Sequence, residues 1–378
     1  QYDENDIFIF FDPTWRHPDY PDGLAFFDTK HNCAAILGMS YFGEIKKGTL
    51  TLAWATAARN NYVSCHGGLK IFRKEGESYV ASFFGLSGSG KSTLTHAKHD
   101  NKYDIEVLHD DAFVISVEDG SSVALEPSYF DKTNDYPAGH REQDYFVTVQ
   151  SCGVTLDENG RKVLVTEDIR NGNGRTIKSR YSTPNRVDKI QEPIQSIFWI
   201  MKDDALPPLV KITDPRLASI LGCTLMTKRS TAENTGAGAN LDALVIEPYA
   251  NPFRVYPLVE DYEKFKALFD KGVDCYIINT GDFLGKKVTK EVSLGVIETV
   301  VDGKAKFELF GGLPGMEYLP VEGYEVPEMN GDYAELIRDR MQFRLDYLKA
   351  FNDANQEHQI PTDALESIKT IERFIDVL

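Results

Sequence analysis

Apolar residues are gathered into short runs broken by Gly, Pro, Asn and Asp, which is the punctuation of strands and turns. The first such runs are Ile7–Phe11, Leu24–Phe27 and Ala34–Gly38. Between the first two, Trp15 to Asp22 reads as a loop containing Pro, His and aromatic residues. A longer apolar run ends in Phe83 and Phe84 and predicts a buried strand, after which Ser92-Thr93-Leu94 opens a helix. Ile105–Leu108 predicts another strand, closed by His109-Asp110-Asp111. Near the end, Tyr333–Leu348 and Asp363–Leu378 carry the 3.6-residue period of amphipathic helices with mixed charge, expected on the outside. Strands before and after the first helix, with no complete βαβ unit at the start, predict a mixed α/β core.

Composition narrows this only slightly. The 378 residues are 42% hydrophobic and 11% aromatic, as in globular proteins, and form one large or two ordinary cores. The balance of 41 Lys+Arg against 58 Asp+Glu leaves a formal charge of -17, which disfavours nucleic acid as a partner. Anionic ligands must then be drawn in by local basic clusters. No apolar run is long enough for a membrane span and no basic-then-apolar leader opens the chain, so a cytoplasmic protein without membrane contact is expected. The first residue is Gln1, which reads as an interior start. The five cysteines (Cys33, Cys65, Cys152, Cys223, Cys275) are odd in number and show no CxxC spacing, as expected of reduced structural thiols.

One stretch carries specific chemistry. Gly85 to Ser92, GLSGSGKS, satisfies GxxxxGK(S/T) between the predicted strand and helix, the context a phosphate-binding loop requires. Gly85, Gly88 and Gly90 can take positive φ and let backbone N–H groups of the loop, with Ser87 and Ser89, close around phosphate oxygens. Lys91 supplies an ammonium to the β- and γ-phosphates, the Ser92 hydroxyl can ligate Mg²⁺, and Thr93 continues the helix start. Acidic residues at the carboxyl end of a later strand, here Asp110 and Asp111, are where nucleotide folds hold metal. Other signals are weak individually. In SYFGEIKKGTLTLAW the neighbours Lys46 and Lys47 precede a β-rich run, and on a strand they would point to opposite faces unless the chain turns at Gly43 and Gly48. By themselves they read as solvated surface, as His66 in VSCHGG reads as a structural histidine. Lys132, Thr133, Arg175, Lys178 and Arg180 are candidate phosphate contacts.

Taken in order, EIKKG, SCH, FFGLSGSGKST, HDDAF and YFDKT resemble the ATP-dependent phosphoenolpyruvate carboxykinases, whose runs are GEMKKG, SMHCSAN, FFGLSGTGKTT, GDDEH and CYAKT. Farther on, Ile197 to Thr213 (IFWIMKDDALPPLVKIT) is similar to IFLTADAFGVLPPVSRLT, and Tyr276 to Lys287 (YIINTGDFLGKK) to the adenosine segment YLVNTGWNGTGKR. The collinear matches span Gly43 to Lys287.

The resemblance implies a mixed-sheet P-loop core of the carboxykinase type and the conversion of oxaloacetate and ATP to phosphoenolpyruvate, CO₂ and ADP. It implies Mn²⁺ on Lys47, His66 and Asp111, and Mg²⁺ of the nucleotide on Ser92 and Asp110. Lys46 would remain cationic beside the transferring phosphoryl group, with Lys91, Lys132 and Arg180 around the β- and γ-phosphates. Asn279, Thr280, Gly281 and Lys287 fall where the family holds adenosine. Residues 1–64 are expected to be a remnant of, or bridge to, a preceding lobe, 65–330 the catalytic domain and 331–378 a helical segment.

The sequence also departs from the family. The organic-acid motif RSPKDKY is not among these residues. Phe113 replaces the His of GDDEH, Tyr129-Phe130-Asp131-Lys132 replaces Cys-Tyr-Ala-Lys, and Ala232 to Gly236 (AENTG) replaces TERG. A P-loop kinase acting on another small molecule or a protein hydroxyl, and a non-catalytic nucleotide-binding subunit, therefore stay open as alternatives.

Overall fold

In the computed structural model, residues 6–86, 88–133, 153–165, 175–179, 185–228 and 243–377 are described, with backbone alone at 132, 175, 176, 178 and 179. The chain opens with β1 (Phe8–Asp12), β2 (Leu24–Asp28) and β3 (Cys33–Leu37), close to the three apolar runs. They form a sheet ordered β1-β3-β2, with β1 parallel and β2 antiparallel to β3.

The next segment corrects the expectation of a β-rich run after the lysine pair. Phe42–Arg59 is one continuous helix, α1, and Lys46 and Lys47 lie in its second turn. Alternation of Thr and Leu in GTLTLAW imitates a strand, but the Ala-rich remainder, AWATAAR, favours helix and the packing decides. Gly48 makes no turn there. A Cβ on it would sit 2.9 Å from Ile36 Cδ1, so glycine allows α1 to press against the first sheet.

After α1 come β4 (Tyr62–His66), β5 (Gly68–Lys74) and β6 (Glu77–Phe84), then the phosphate loop and the short helix α2 (Lys91–His96). β7 (Asp104–His109), β8 (Ala112–Ser116) and β9 (Ser122–Ala124) follow. Residues 126–188 form a separate compact unit. In it β10 (Ser128–Lys132) pairs antiparallel with a strand at Arg175–Ser179, and β11 (Val154–Leu156) with β12 (Lys162–Leu164); the Arg175–Ser179 strand is β13.

The chain re-enters the first unit at β14 (Lys189–Ile190), followed by β15 (Ser196–Met201), β16 (Leu209–Ile212) and α3 (Pro215–Cys223). Next are β17 (Met226–Lys228), β18 (Leu244–Ile246), α4 (Leu258–Asp270), β19 (Asp274–Asn279), the β20–β21 hairpin (Asp282–Phe283, Lys286–Lys287) and α5 (Lys290–Val301). β22 (Glu308–Leu309), β23 (Met316–Tyr318), α6 (Gly331–Ala354) and α7 (Thr362–Ile375) complete it.

The main sheet runs β22-β23-β16-β19-β15-β6-β5-β7, and its centre is the parallel trio β6, β15 and β19. All six residues of β15 are buried, as a strand covered on both faces requires. Phe83, Phe198 and Tyr276 are register partners on these three strands, and their rings stack with centroids 5.1 and 4.9 Å apart. On the opposite face Phe84 and Trp199 meet Phe265 of α4. A second sheet, β14-β9-β8-β4, lies under α1, whose Trp54 is fully buried and donates to the Phe113 carbonyl.

The amphipathic helices expected at the end are α6 and α7. α6 is less peripheral than its charge pattern suggests. Its Arg340 pairs with Asp203 and Asp204 just after β15, and its Arg344 is buried against the Thr224 carbonyl.

Candidate active site

Parallel strands place the loops at their carboxyl ends side by side, and in open α/β sheets ligands bind there. β6 delivers the phosphate loop, β15 delivers Lys202, and β19 delivers Asn279 to Gly281. Gly88 and Gly90 have φ of 73° and 103°, in the left-handed region expected of a phosphate cradle. Gly85 does not share it and is glycine for want of space, because a Cβ would lie 2.3 Å from Ser89 Oγ and 2.9 Å from Ile200 Cβ. The buried Ser89 hydroxyl has no hydrogen-bond partner among the described residues. Lys91, Ser92 and Thr93 form the first turn of α2, the latter two exposed. Ser87 lies outside the described residues.

Beside the loop, three elements bring together the residues singled out after it. Lys46 and Lys47 of α1 each place Nζ 2.8 Å from Asp111 Oδ2. Neighbours on a helix are about 100° apart, an angle that long lysine side chains close by leaning together. His66, ending β4, places Nε2 2.9 Å from Asp111 Oδ1. Asp110 turns the other way and pairs with His96 of α2 at 3.3 Å. Burial alone would raise both carboxyls. His96, by hydrogen bond and charge, and His109 together more than offset it at Asp110, and the ammonium groups of Lys47 and Lys46 oppose it at Asp111, so both are held well below the usual range. Burial pushes the Lys91 ammonium down, opposed by Asp111.

The proton on His66 can be located. Its Nδ1 lies 2.5 Å from the Ala250 carbonyl, which can only accept, so Nδ1 carries the hydrogen. Tyr249 and Ala250 have φ of 53° and 54°, and this strained pair aims the carbonyl at the ring. Burial, then the nearby Lys91, push the His66 pKa down to about 4, despite Asp111. At neutral pH Nε2 therefore presents a lone pair to a carboxylate oxygen 2.9 Å away. Two acceptors that close call for a cation they can share.

In the segment expected to meet adenosine, the Asn279 side chain is spent on its own loop, donating to the carbonyls of Asp203, Leu206 and Asp282 and accepting from Gly281 N–H. It shapes the segment and has little left to offer a base. Thr280 Oγ1 donates to Ser89 O at 2.6 Å, tying that segment to the phosphate loop. Lys287 is exposed in the β20–β21 hairpin. The Lys132 side chain and Arg180 lie outside the described residues, as do the side chains of Arg175 and Lys178 and the AENTG segment.

Beneath α2 is a cation that sequence reading passes over. Lys70 of β5 is fully buried, and its Nζ donates to Leu94 O, Ala97 O and His99 Nε2 at 2.6, 3.3 and 2.9 Å. His99 Nδ1 pairs with Glu298 of α5. His99, Asp100 and Asn101 all have positive φ, a left-handed turn directly after α2 that brings the His99 ring inward. Neither Lys70 nor the Ala250 carbonyl belongs to a motif. Lys202 could have been noticed, since it is the charge that ends the apolar run IFWIM.

With this geometry in place, comparison with known proteins is specific. The family described as phosphoenolpyruvate carboxykinase matches residues 13–329. A protein of Aeropyrum pernix named phosphoenolpyruvate carboxykinase (ATP) is 25% identical over 363 residues, covering 86% of this chain and 70% of that protein.

Proposed function

The chain belongs to the phosphoenolpyruvate carboxykinase family, and on that premise we propose that it converts oxaloacetate and ATP to phosphoenolpyruvate, CO₂ and ADP. The observation that carries this reading is the meeting of Lys47, His66 and Asp111 beside a phosphate loop. A nucleotide-binding module has no use for that second polar centre.

The donor set fits a divalent ion. Asp111 offers a carboxylate, His66 an Nε2 lone pair with its tautomer fixed from behind, and Lys47 an amine once the ion displaces its proton. In this reading Lys47, His66 and Asp111 hold Mn²⁺, while Ser92 and Asp110 hold the Mg²⁺ that accompanies ATP. When bound, the first ion supplies positive charge to the oxygen that becomes negative as CO₂ leaves. The bond to the departing carboxylate breaks, its electron pair forms the new carbon–carbon double bond, and the carbonyl π pair moves onto the oxygen. That oxygen then attacks the γ-phosphorus as the bond to ADP breaks.

The chain's own residues hold these groups in line. Loop amides and Lys91 fix the β- and γ-phosphates, replacing water with charge already in place. Lys46 is proposed to face the phosphoryl group beside Lys47. By the family resemblance Lys132 and Arg180 are proposed as further phosphate-binding residues, and Thr280, Gly281 and Lys287 as holding the nucleoside. Reduced conditions such as the cytoplasm suit the unpaired Cys33, Cys65, Cys223 and Cys275. No described helix is long and apolar enough to cross a membrane.

A second reading, phosphoryl transfer to a different acceptor, draws on Phe113, buried where the family run has histidine. The test is ADP release with ATP, Mg²⁺ and Mn²⁺, offering oxaloacetate alongside a panel of hydroxyl compounds. Phosphoenolpyruvate formed from oxaloacetate supports the first reading. ADP release with a hydroxyl compound and none with oxaloacetate overturns it in favour of the second.

A further inference from the structure

We propose that Lys202 is a further phosphate-binding residue, which grips the polyphosphate chain of the nucleotide from the β15 side of the loop. This rests on the nucleotide-binding part of the reading above, though not on the identity of the acceptor.

β15 stands between the strand that carries the phosphate loop and the strand that carries the nucleoside segment. The first residue past its carboxyl end is Lys202. Its backbone is pinned on two sides, with N–H donating to Thr227 Oγ1 at 2.9 Å and the carbonyl accepting from Lys228 N–H at 3.2 Å. A Cβ at position 281 would fall 3.0 Å from both Lys202 Cα and Cβ, so Gly281 lets the nucleoside segment lie directly on this residue. From that base the side chain reaches over to the loop and donates to Gly88 O at 2.7 Å.

Gly88 is, with Gly90, one of the two left-handed glycines in the described part of the loop. Alternation of handedness in such a loop points successive amides inward, where they form an anion site. The ammonium bonded to the outer carbonyl is thus at the rim of the site, between the phosphates and the nucleoside. Lys46 and Lys47 pair with Asp111, and Lys91 feels its charge, whereas Lys202 is anchored on the loop backbone itself. The family run quoted for this stretch, IFLTADAFGVLPP, has no lysine. The cation is a feature of this chain that its family motif does not provide.

The plainer role for Lys202 is a neutral one, a tether that only shapes the loop through Gly88 O. Glutamine keeps a donor of nearly that reach and loses the charge. Calorimetry of Mg-ATP, Mg-ADP and pyrophosphate should therefore be run on the parent, Lys202→Gln, Lys202→Met and Lys202→Arg, with Lys91→Met as a control. Lys202→Gln and Lys202→Met should each bind ATP and ADP about tenfold more weakly, and Lys202→Arg should recover most of the loss. The dependence of affinity on ionic strength should flatten in the two uncharged variants, with melting temperatures little changed because the side chain is only half-buried. Parent-like affinity in Lys202→Gln overturns the proposal and leaves a tether. If instead the parent binds no nucleotide, the reading of the phosphate loop itself fails and this proposal with it.

Discussion

Lys70→Met should change how stability responds to pH, and by a calculable amount. Burial lowers the Lys70 pKa from 10.5 to about 7, with Glu298 the opposing influence. Below pH 7 both folded and unfolded chains hold the proton, and the folded state bears the whole cost of an enclosed ammonium. Between pH 7 and 10.5 the unfolded chain keeps its proton and the folded one has lost it, so stability climbs with pH. Each pH unit in that window is worth about 1.4 kcal/mol at most, so the gain from pH 7 to 9.5 is on the order of 3 kcal/mol.

Methionine fills similar space but leaves Leu94 O and Ala97 O without their donor, a loss of about 1–3 kcal/mol for each that does not vary with pH. The offset between the two proteins is therefore less informative than the slope. The charged and titratable groups facing Lys70 are His99 and, through it, Glu298. His99 is pushed by burial and by Lys70 to about 4 and is neutral throughout the window. Buried tyrosines and cysteines titrate alike in both proteins and cancel. Urea unfolding followed by tryptophan fluorescence at pH 6.5, 7.5, 8.5 and 9.5 gives the two curves. Their difference should be flat below pH 7 and then widen in favour of the parent. Parallel curves across the series would refute the claim that a buried ammonium is titrating.

Other consequences can be checked more briefly. His66→Ala should lose Mn²⁺ binding, read by electron paramagnetic resonance, and retain Mg-ATP affinity by calorimetry within about twofold. Lys91→Met should do the reverse, weakening ATP at least tenfold. Trp54→Ala removes the fully buried side chain between α1 and β8 and should cost about 3–5 kcal/mol in chemical denaturation; a loss under 1 kcal/mol would mean that α1 is not held there. The NTGDFLGKK segment resembles that of the ATP class, so ATP should bind more tightly than GTP in paired titrations, and equal affinities would contradict that assignment.

What could be read in advance and what could not divide along physical lines. The phosphate loop was legible because its chemistry is local: glycines, a lysine and a hydroxyl in one turn between a strand and a helix. The acidic pair at the end of β7 was legible for the same reason. The lysine pair is visible in the sequence but its setting is not, since local alternation in GTLTLAW says strand, while packing of Trp54, Leu50 and Ala57 against β4 and β8 says helix. The carbonyl that fixes the His66 tautomer was invisible, because every residue has one and only the left-handed pair Tyr249–Ala250 aims it. Asn279 reads as a nucleoside contact from its motif, whereas its hydrogen bonds to the backbone of its own loop depend on the packing of Asp203, Leu206 and Asp282 around it.

The left-handed turn after α2 bears on how the molecule breathes. Three successive non-glycine residues in that conformation cost about 1–2 kcal/mol each, and a six-residue helix cannot persist alone. Residues 91–103 should therefore open as a unit well before the main sheet does. The helix is fastened at its far end by Lys70, and nucleotide would fasten the near end. Amide hydrogen exchange in this segment then becomes a gauge of occupancy, slowing by up to the free energy of binding at positions 97–103, past the end of the helix.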